Sequence, residues 1–168
     1  MKKIIYSFLL LLFLNACTGY KPIFTSTNLQ FEITNYSIEG DKTLGNKVYA
    51  KLNRLSKSNK NEDNTRNISF LINATKNKKA GAKDNAGKIL SYKITLNTKI
   101  EVKDTMTDEI ILKQTFVSST SYKVQDQSSD TAKLENKYTD NLIDKTYREL
   151  LIQLSQNIST KWLLKVMK

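Results

Sequence analysis

Leu90-Ser91-Tyr92-Lys93-Ile94-Thr95-Leu96-Asn97-Thr98-Lys99-Ile100-Glu101-Val102 alternates without a break. Leu90, Tyr92, Ile94, Leu96, Thr98, Ile100 and Val102 fill one phase. Ser91, Lys93, Thr95, Asn97, Lys99 and Glu101 fill the other. Successive side chains of a strand point to opposite faces, so a period of two means one dry face and one wet face. That is the pattern of an antiparallel sheet covered on one side only.

The neighbouring segments extend the sheet. Residues 104–108 (DTMTD) read as a turn, and Ile110 to Tyr122 returns as a strand with Ile110, Leu112, Phe116 and Tyr122 in one phase. Upstream, Ile68, Phe70, Ile72 and Ala74 alternate as another strand. Between the two lies Lys76 to Lys88 (KNKKAGAKDNAGK), which holds five lysines and no large apolar residue. Such a segment cannot bury enough surface to order itself and is expected to be a flexible loop. Leu29 to Glu39 gives one more strand. Its phase shifts from Phe31 and Ile33 to Tyr36 and Ile38, the mark of a bulge or of the strand's end.

Two helices complete the chain. Leu44, Val48, Leu52 and Leu55 form one stripe on a helix over 42–56, after a turn at Gly40-Asp41 that supplies a capping carboxylate. Residues 56–67 are polar and read as a loop. Leu134, Tyr138, Leu142, Ile143, Tyr147, Leu150, Leu151, Leu154, Ile158 and Trp162 form the stripe of a helix over about 131–165, with Ser129 or Asp130 as its cap. Neither helix is apolar all round, so both must cover the same dry sheet face. The fold class is α+β: a two-layer sandwich of order βαβββα, with a four-stranded, mostly antiparallel sheet and two helices on one face.

The N-terminus has a different character. Lys2 and Lys3 precede an apolar run from Ile4 to Leu14, which is shorter than the ~20 residues a membrane span needs. Its length and positive flank are those of a secretory signal peptide. The run ends in Leu14-Asn15-Ala16-Cys17, which resembles a lipobox, with Asn15 as a departure from the usual pattern. Cys17 is the only cysteine, and a lone one at this junction is better explained as a lipid acceptor than as half of a disulfide. Residues 1–16 are therefore expected to be removed, Cys17 to be lipidated, and residues 17–168 to form one domain. Lipoprotein cysteines resemble a multiply acylated case, so stable anchoring follows. Thr18, where an aspartate commonly retains a lipoprotein in the inner membrane, leans toward the outer membrane.

The whole chain carries +11, which falls to about +9 once Lys2 and Lys3 leave. A basic balance favours anionic partners, and export makes nucleic acid an improbable one. Abundant Lys, Asn and Ile with few arginines also fits an AT-rich genome, so charge alone identifies no ligand. There is no histidine and no second cysteine, which removes His- and Cys-based metal sites and leaves the serines without a histidine to activate them; a Ser–Lys dyad stays formally open, but no motif points to one. No phosphate-cradling glycine motif occurs. No catalytic residue, cofactor or metal is expected.

Cys17-Thr18-Gly19-Tyr20-Lys21-Pro22-Ile23-Phe24 resembles the mature start of the lipopolysaccharide-assembly lipoprotein LptE family. Gly19-Tyr20 and Pro22-Ile23-Phe24 fit the family pattern and Thr18 is an insertion. The order of elements agrees over the mature chain. The resemblance implies a non-enzymatic lipoprotein at the periplasmic face of the outer membrane. Its partners would be an LptD-like β-barrel, which it plugs and helps assemble, and lipopolysaccharide on its way to the cell surface. The alternative is an auxiliary lipoprotein of another complex, such as a transporter accessory; a carrier of a lipid or peptide is a third reading. Lys76, Lys78, Lys79, Lys83 and Lys88 are the candidate lipopolysaccharide contacts, with Lys60 and Arg66 as neighbours, because lysine binds phosphate as a point charge.

Overall fold

The structure, a computed structural model, describes residues 30–58 and 65–166. The signal peptide, Cys17, the 17–24 motif and Lys60 lie outside the described residues. The elements run β1 (Phe31–Gly40), α1 (Lys42–Ser58), β2 (Arg66–Ala80), β3 (Ser91–Asp104), β4 (Ile110–Lys123) and α2 (Ser128–Val166).

The strands lie in one sheet in the order β1-β2-β3-β4. β1 and β2 are parallel, joined by the α1 crossover, while β2–β3 and β3–β4 are antiparallel. The expected βαβββα order and mostly antiparallel sheet are both present.

β3 behaves as its alternation predicts. Ile94, Leu96, Thr98, Ile100 and Val102 are buried to 1% exposure or less, while Lys93 and Lys99 are exposed. Leu90 departs from the pattern: it precedes β3 and remains 45% exposed. Across the sheet the dry phase continues with Ile68, Phe70, Ile72 and Ala74 of β2 and Leu112, Phe116 and Tyr122 of β4. The β1 phase shift is a bulge between Ile33 and Asn35.

β4 holds a second bulge that the sequence reading misses. Val102 pairs with Leu112 but Lys103 with Ile110, so Ile111 is the extra residue. The bulge turns Ile111 and Leu112 both inward and sends Ile110 outward, where it is 43% exposed. Ile110 therefore does not share the buried phase of Leu112 and Phe116.

α1 starts where expected. The Leu44 amide donates to Asp41 Oδ1 at 3.1 Å, as in a helix cap. Gly40 has φ +71°, and a Cβ there would run into the Ala74 carbonyl oxygen. The turn from β1 into α1 thus demands glycine twice over. Leu44, Val48 and Leu52 of the predicted stripe are buried. The buried Ser56 hydroxyl ties the last turn to β1, donating to the Phe31 carbonyl at 3.1 Å.

α2 begins three residues before the expected start. The Gln127 carbonyl accepts from the Asp130 and Thr131 amides, so Gln127, not Ser129 or Asp130, stands at the cap. Asp130 instead lies in the first turn and pairs with Lys133 at 2.9 Å. Leu142, Ile143, Leu150 and Leu154 bury the inner stripe, packing chiefly on β4. Two ion pairs of 2.6 Å, Lys47–Asp140 and Lys51–Asp144, link α1 to α2. Both are about half exposed and contribute little, on the order of 0–1 kcal/mol each. Among the described residues, no helix is long and apolar enough to cross a membrane.

Candidate functional site

β2 outlasts the apolar core. Beyond Ala74 its dry phase continues with Lys76 and Lys78, opposite Leu96 and Ile94 of β3. These two lysines point toward the helix layer, where α2 meets them with Glu135. Lys76 Nζ lies 2.8 Å from Glu135 Oε1 and Lys78 Nζ 2.6 Å from Oε2. Tyr122 of β4 donates its phenol to the same Oε2 at 2.8 Å. Lys78 also sits 4.2 Å from the centroid of the Tyr92 ring, a cation–π contact. Tyr122 stacks in turn on Tyr138 of α2, 6.0 Å between centroids.

Glu135 is the centre of this cluster, with its side chain 17% exposed. Burial alone would raise its pKa. Hydrogen bonds from Lys76, Lys78 and Tyr122, with the Coulombic pull of Lys76, outweigh burial and lower it to about 2. The hydrogen bond to Glu135 raises the Lys78 pKa. Burial, reinforced by the hydrogen bond to Glu135, raises that of Tyr122. The Glu135 carboxylate and the Lys78 ammonium are thus charged together at neutral pH.

The lysine-rich segment is not the flexible loop its composition predicts. Lys76, Lys78 and Lys79 belong to β2, and only Lys83 and Lys88 lie in the connection to β3. Lysine's polar head tolerates an edge-of-core position once a carboxylate meets it, and that partner is 59 residues away in sequence. The connection itself is ordered by Asp84, whose Oδ1 accepts from the Ala86 and Lys88 amides at 2.9 and 2.8 Å. Lys83 bridges to Ile89, and Gly87 takes φ +84° in open space. An aspartate bonding its own downstream backbone builds a turn without a hydrophobic core.

A cleft of about 660 Å³ opens between this turn and the start of α2. Its walls include Lys78, Lys88, Leu90, Tyr92, Val124 and Glu135. Of the five candidate lysines, Lys78 and Lys88 meet in the cleft. Lys76 points into the Glu135 cluster. Lys79 falls on the outer face, in register with Lys93, and Lys83 stays on the turn. Arg66 starts β2, in register with Phe31 at the far end of the sheet, so it is no neighbour of the cleft. Glu135, Tyr122 and Tyr92 escape a sequence reading that ranks lysines by local density. A carboxylate inside the α2 stripe, one residue after Leu134, was the available signal. The cleft sets two cations, Lys78 and Lys88, and two carboxylates, Asp126 and Glu135, beside aromatic and aliphatic walls. No group of three acidic or sulfur- or imidazole-bearing side chains among the described residues could hold a metal ion.

The outer sheet face is the second candidate surface. Asn73, Thr75, Asn77, Thr95, Asn97, Thr115, Ser119 and Ser121 share it across β2, β3 and β4. Glu101 on this face is held by Lys113 at 2.8 Å and Lys103 at 3.6 Å, while Lys79, Lys93 and Lys99 stand exposed among the neutral residues. The surface is thus a carpet of hydrogen-bonding side chains with a net positive charge.

This architecture, a mixed four-stranded sheet with two helices on one face, is a fold of bacterial lipoproteins. It is shared with rare lipoprotein B of Shewanella oneidensis (TM-score 0.53, 13% identity, 76% of this chain and 98% of that one). Lipoprotein B of Nitrosomonas europaea (TM-score 0.59, 13% identity, 84% and 93%) has it too. So does a putative lipoprotein of Caulobacter crescentus (TM-score 0.53, 12% identity, 81% and 95%). This is the LptE-like fold that the resemblance at residues 17–24 implies. No family model and no curated protein matches the sequence. The fold neighbours are lipoproteins, not enzymes.

Proposed function

We propose that this chain is an outer-membrane lipoprotein that helps assemble and plug the lipopolysaccharide-translocating β-barrel and helps deliver lipopolysaccharide to the cell surface. The observation that carries this reading is the outer sheet face, wet from β2 to β4 and dominated by Ser, Thr and Asn. A barrel lumen is polar, and a wet face carrying Ser, Thr, Asn and Lys suits it. The lipobox at Cys17 and the shared lipoprotein fold support the same reading. The test is purification in mild detergent from native membranes. A single large β-barrel should co-purify in stoichiometric amount. A transporter complex, or a small ligand with no barrel, would overturn the reading.

The anchor is tested by mass spectrometry of the membrane-extracted protein. An acylated N-terminal Cys17 is expected, and Cys17→Ala should leave the chain uncleaved or soluble. An intact Met1 or an unmodified Cys17 contradicts the lipobox.

Lipopolysaccharide contact is assigned to the cleft. Lys78→Gln with Lys88→Gln should weaken binding to purified lipopolysaccharide about tenfold, at ~0.7 kcal/mol per partly exposed charge. The salt dependence should flatten as well, since exposed charges act within a Debye length of about 8–10 Å. Lys79→Gln and Lys83→Gln, which lie off the cleft, should matter less. Unchanged affinity with intact circular dichroism would remove the cleft from the account.

A further inference from the structure

β4 ends the sheet on one side, so among the described residues one edge of its backbone has no neighbouring strand. Natural edge strands are blunted by charges, prolines, bulges or short length, because a bare edge is a template for another chain. The opposite edge, β1, follows that rule: it carries Glu32 and Glu39, a bulge beside Thr34, and ends in Gly40. β4 does not. It runs for 14 residues, and its only bulge lies at the start, by Ile111. Residues 114–122 (QTFVSSTSY) follow with no charge, proline or glycine.

The inner side chains of this window, Phe116, Ser118 and Tyr122, are buried under α2. The outward ones, Thr115, Val117, Ser119 and Ser121, are exposed, Val117 to 60%. The window has no register shift and is framed by Lys113, which also pairs with Glu101, and by Lys123.

We propose that the free edge of β4 is a strand-addition site for an extended segment of a partner protein, uncharged along its middle and acidic at both ends. Main-chain hydrogen bonds would supply the affinity, as in other β-augmented complexes. Specificity would come from the flanking charges and from the apolar side chain set beside Val117. A second copy of this chain fits poorly. An antiparallel self-pair centred on Ser118 sets Lys113 opposite Lys123 at both ends, and like charges directly opposite are destabilising. This site is separate from the cleft, and its outward side chains border the face proposed for the barrel lumen.

The experiment is hydrogen exchange on the full detergent-purified protein. The probe is a synthetic peptide of alternating threonine and valine, matching the length of the neutral window, with a glutamate at each end. At about ten times its dissociation constant, it should slow exchange of the β4 edge amides about tenfold. The same peptide with a central proline should not. Val117→Lys with Ser119→Lys, both on exposed outward positions, should abolish the effect while circular dichroism stays unchanged. The proposal fails if the probe leaves β4 exchange unchanged, or if the proline peptide or the lysine variant protects equally. Protection that appears without peptide and grows with protein concentration would make the occupant a second copy and overturn the assignment.

Discussion

Ile94→Ala is expected to lower the unfolding free energy by about 2–5 kcal/mol, and Leu96→Ala by a similar amount. Both side chains are buried, at 0% and 1% exposure, in the layer between β3 and the helices. Each truncation leaves a cavity that two stiff neighbouring strands, β2 and β4, cannot fill by relaxing. Lys93→Ala, on the exposed outer face, should cost less than about 0.5 kcal/mol. Thr95 is half-buried, set between Asn77 and Ser119 of the adjacent strands. Its replacement should fall between the two. Denaturant unfolding measures all four, and equal losses across the series would contradict a sheet with one dry face.

Glu135→Gln should flatten the pH dependence of stability in the acid range and cost about 2 kcal/mol at neutral pH. The carboxyl has an ordinary pKa of 4.5 when unfolded and about 2 in the folded chain. The full shift corresponds to about 3 kcal/mol, and the solvent exposure of Lys76 and Lys78 reduces it. The depressed folded pKa sets the sign. The contribution is complete above the unfolded value of 4.5 and is lost as pH falls through about 2. Wild-type protein should therefore lose stability steeply between about pH 5 and pH 2, and the variant less steeply. Parallel curves for the two proteins would mean that the Lys76–Glu135–Lys78 cluster holds nothing together.

Local periodicity made most of the fold legible. The alternation over 92–102 and the stripe at Leu44, Val48 and Leu52 each depend on one element alone, and each appears as read. The errors fall where a second element intervenes. Ile110 faces outward because β4 bulges against Val102 and Lys103, which depends on pairing and not on composition. Lys76 and Lys78 read as loop because lysine rarely continues a buried phase. Only Glu135 on α2 makes that continuation affordable. The candidate site was legible in part for the same reason. Local density selected five lysines, but the fold sorts them among the Glu135 cluster, the cleft, the outer face and the turn. The aromatic wall at Tyr92 and Tyr122 arises from β3–β4 pairing, which no single segment encodes.

The most direct test of the proposed role is depletion of this protein in living cells, with two quantities followed together. One is lipopolysaccharide at the cell surface; the other is the folded fraction of the lipopolysaccharide-translocating β-barrel, read from its heat-modifiable mobility. The account predicts that both fall, and that the wild-type chain restores both. Normal surface lipopolysaccharide with a fully folded barrel after complete depletion would contradict it.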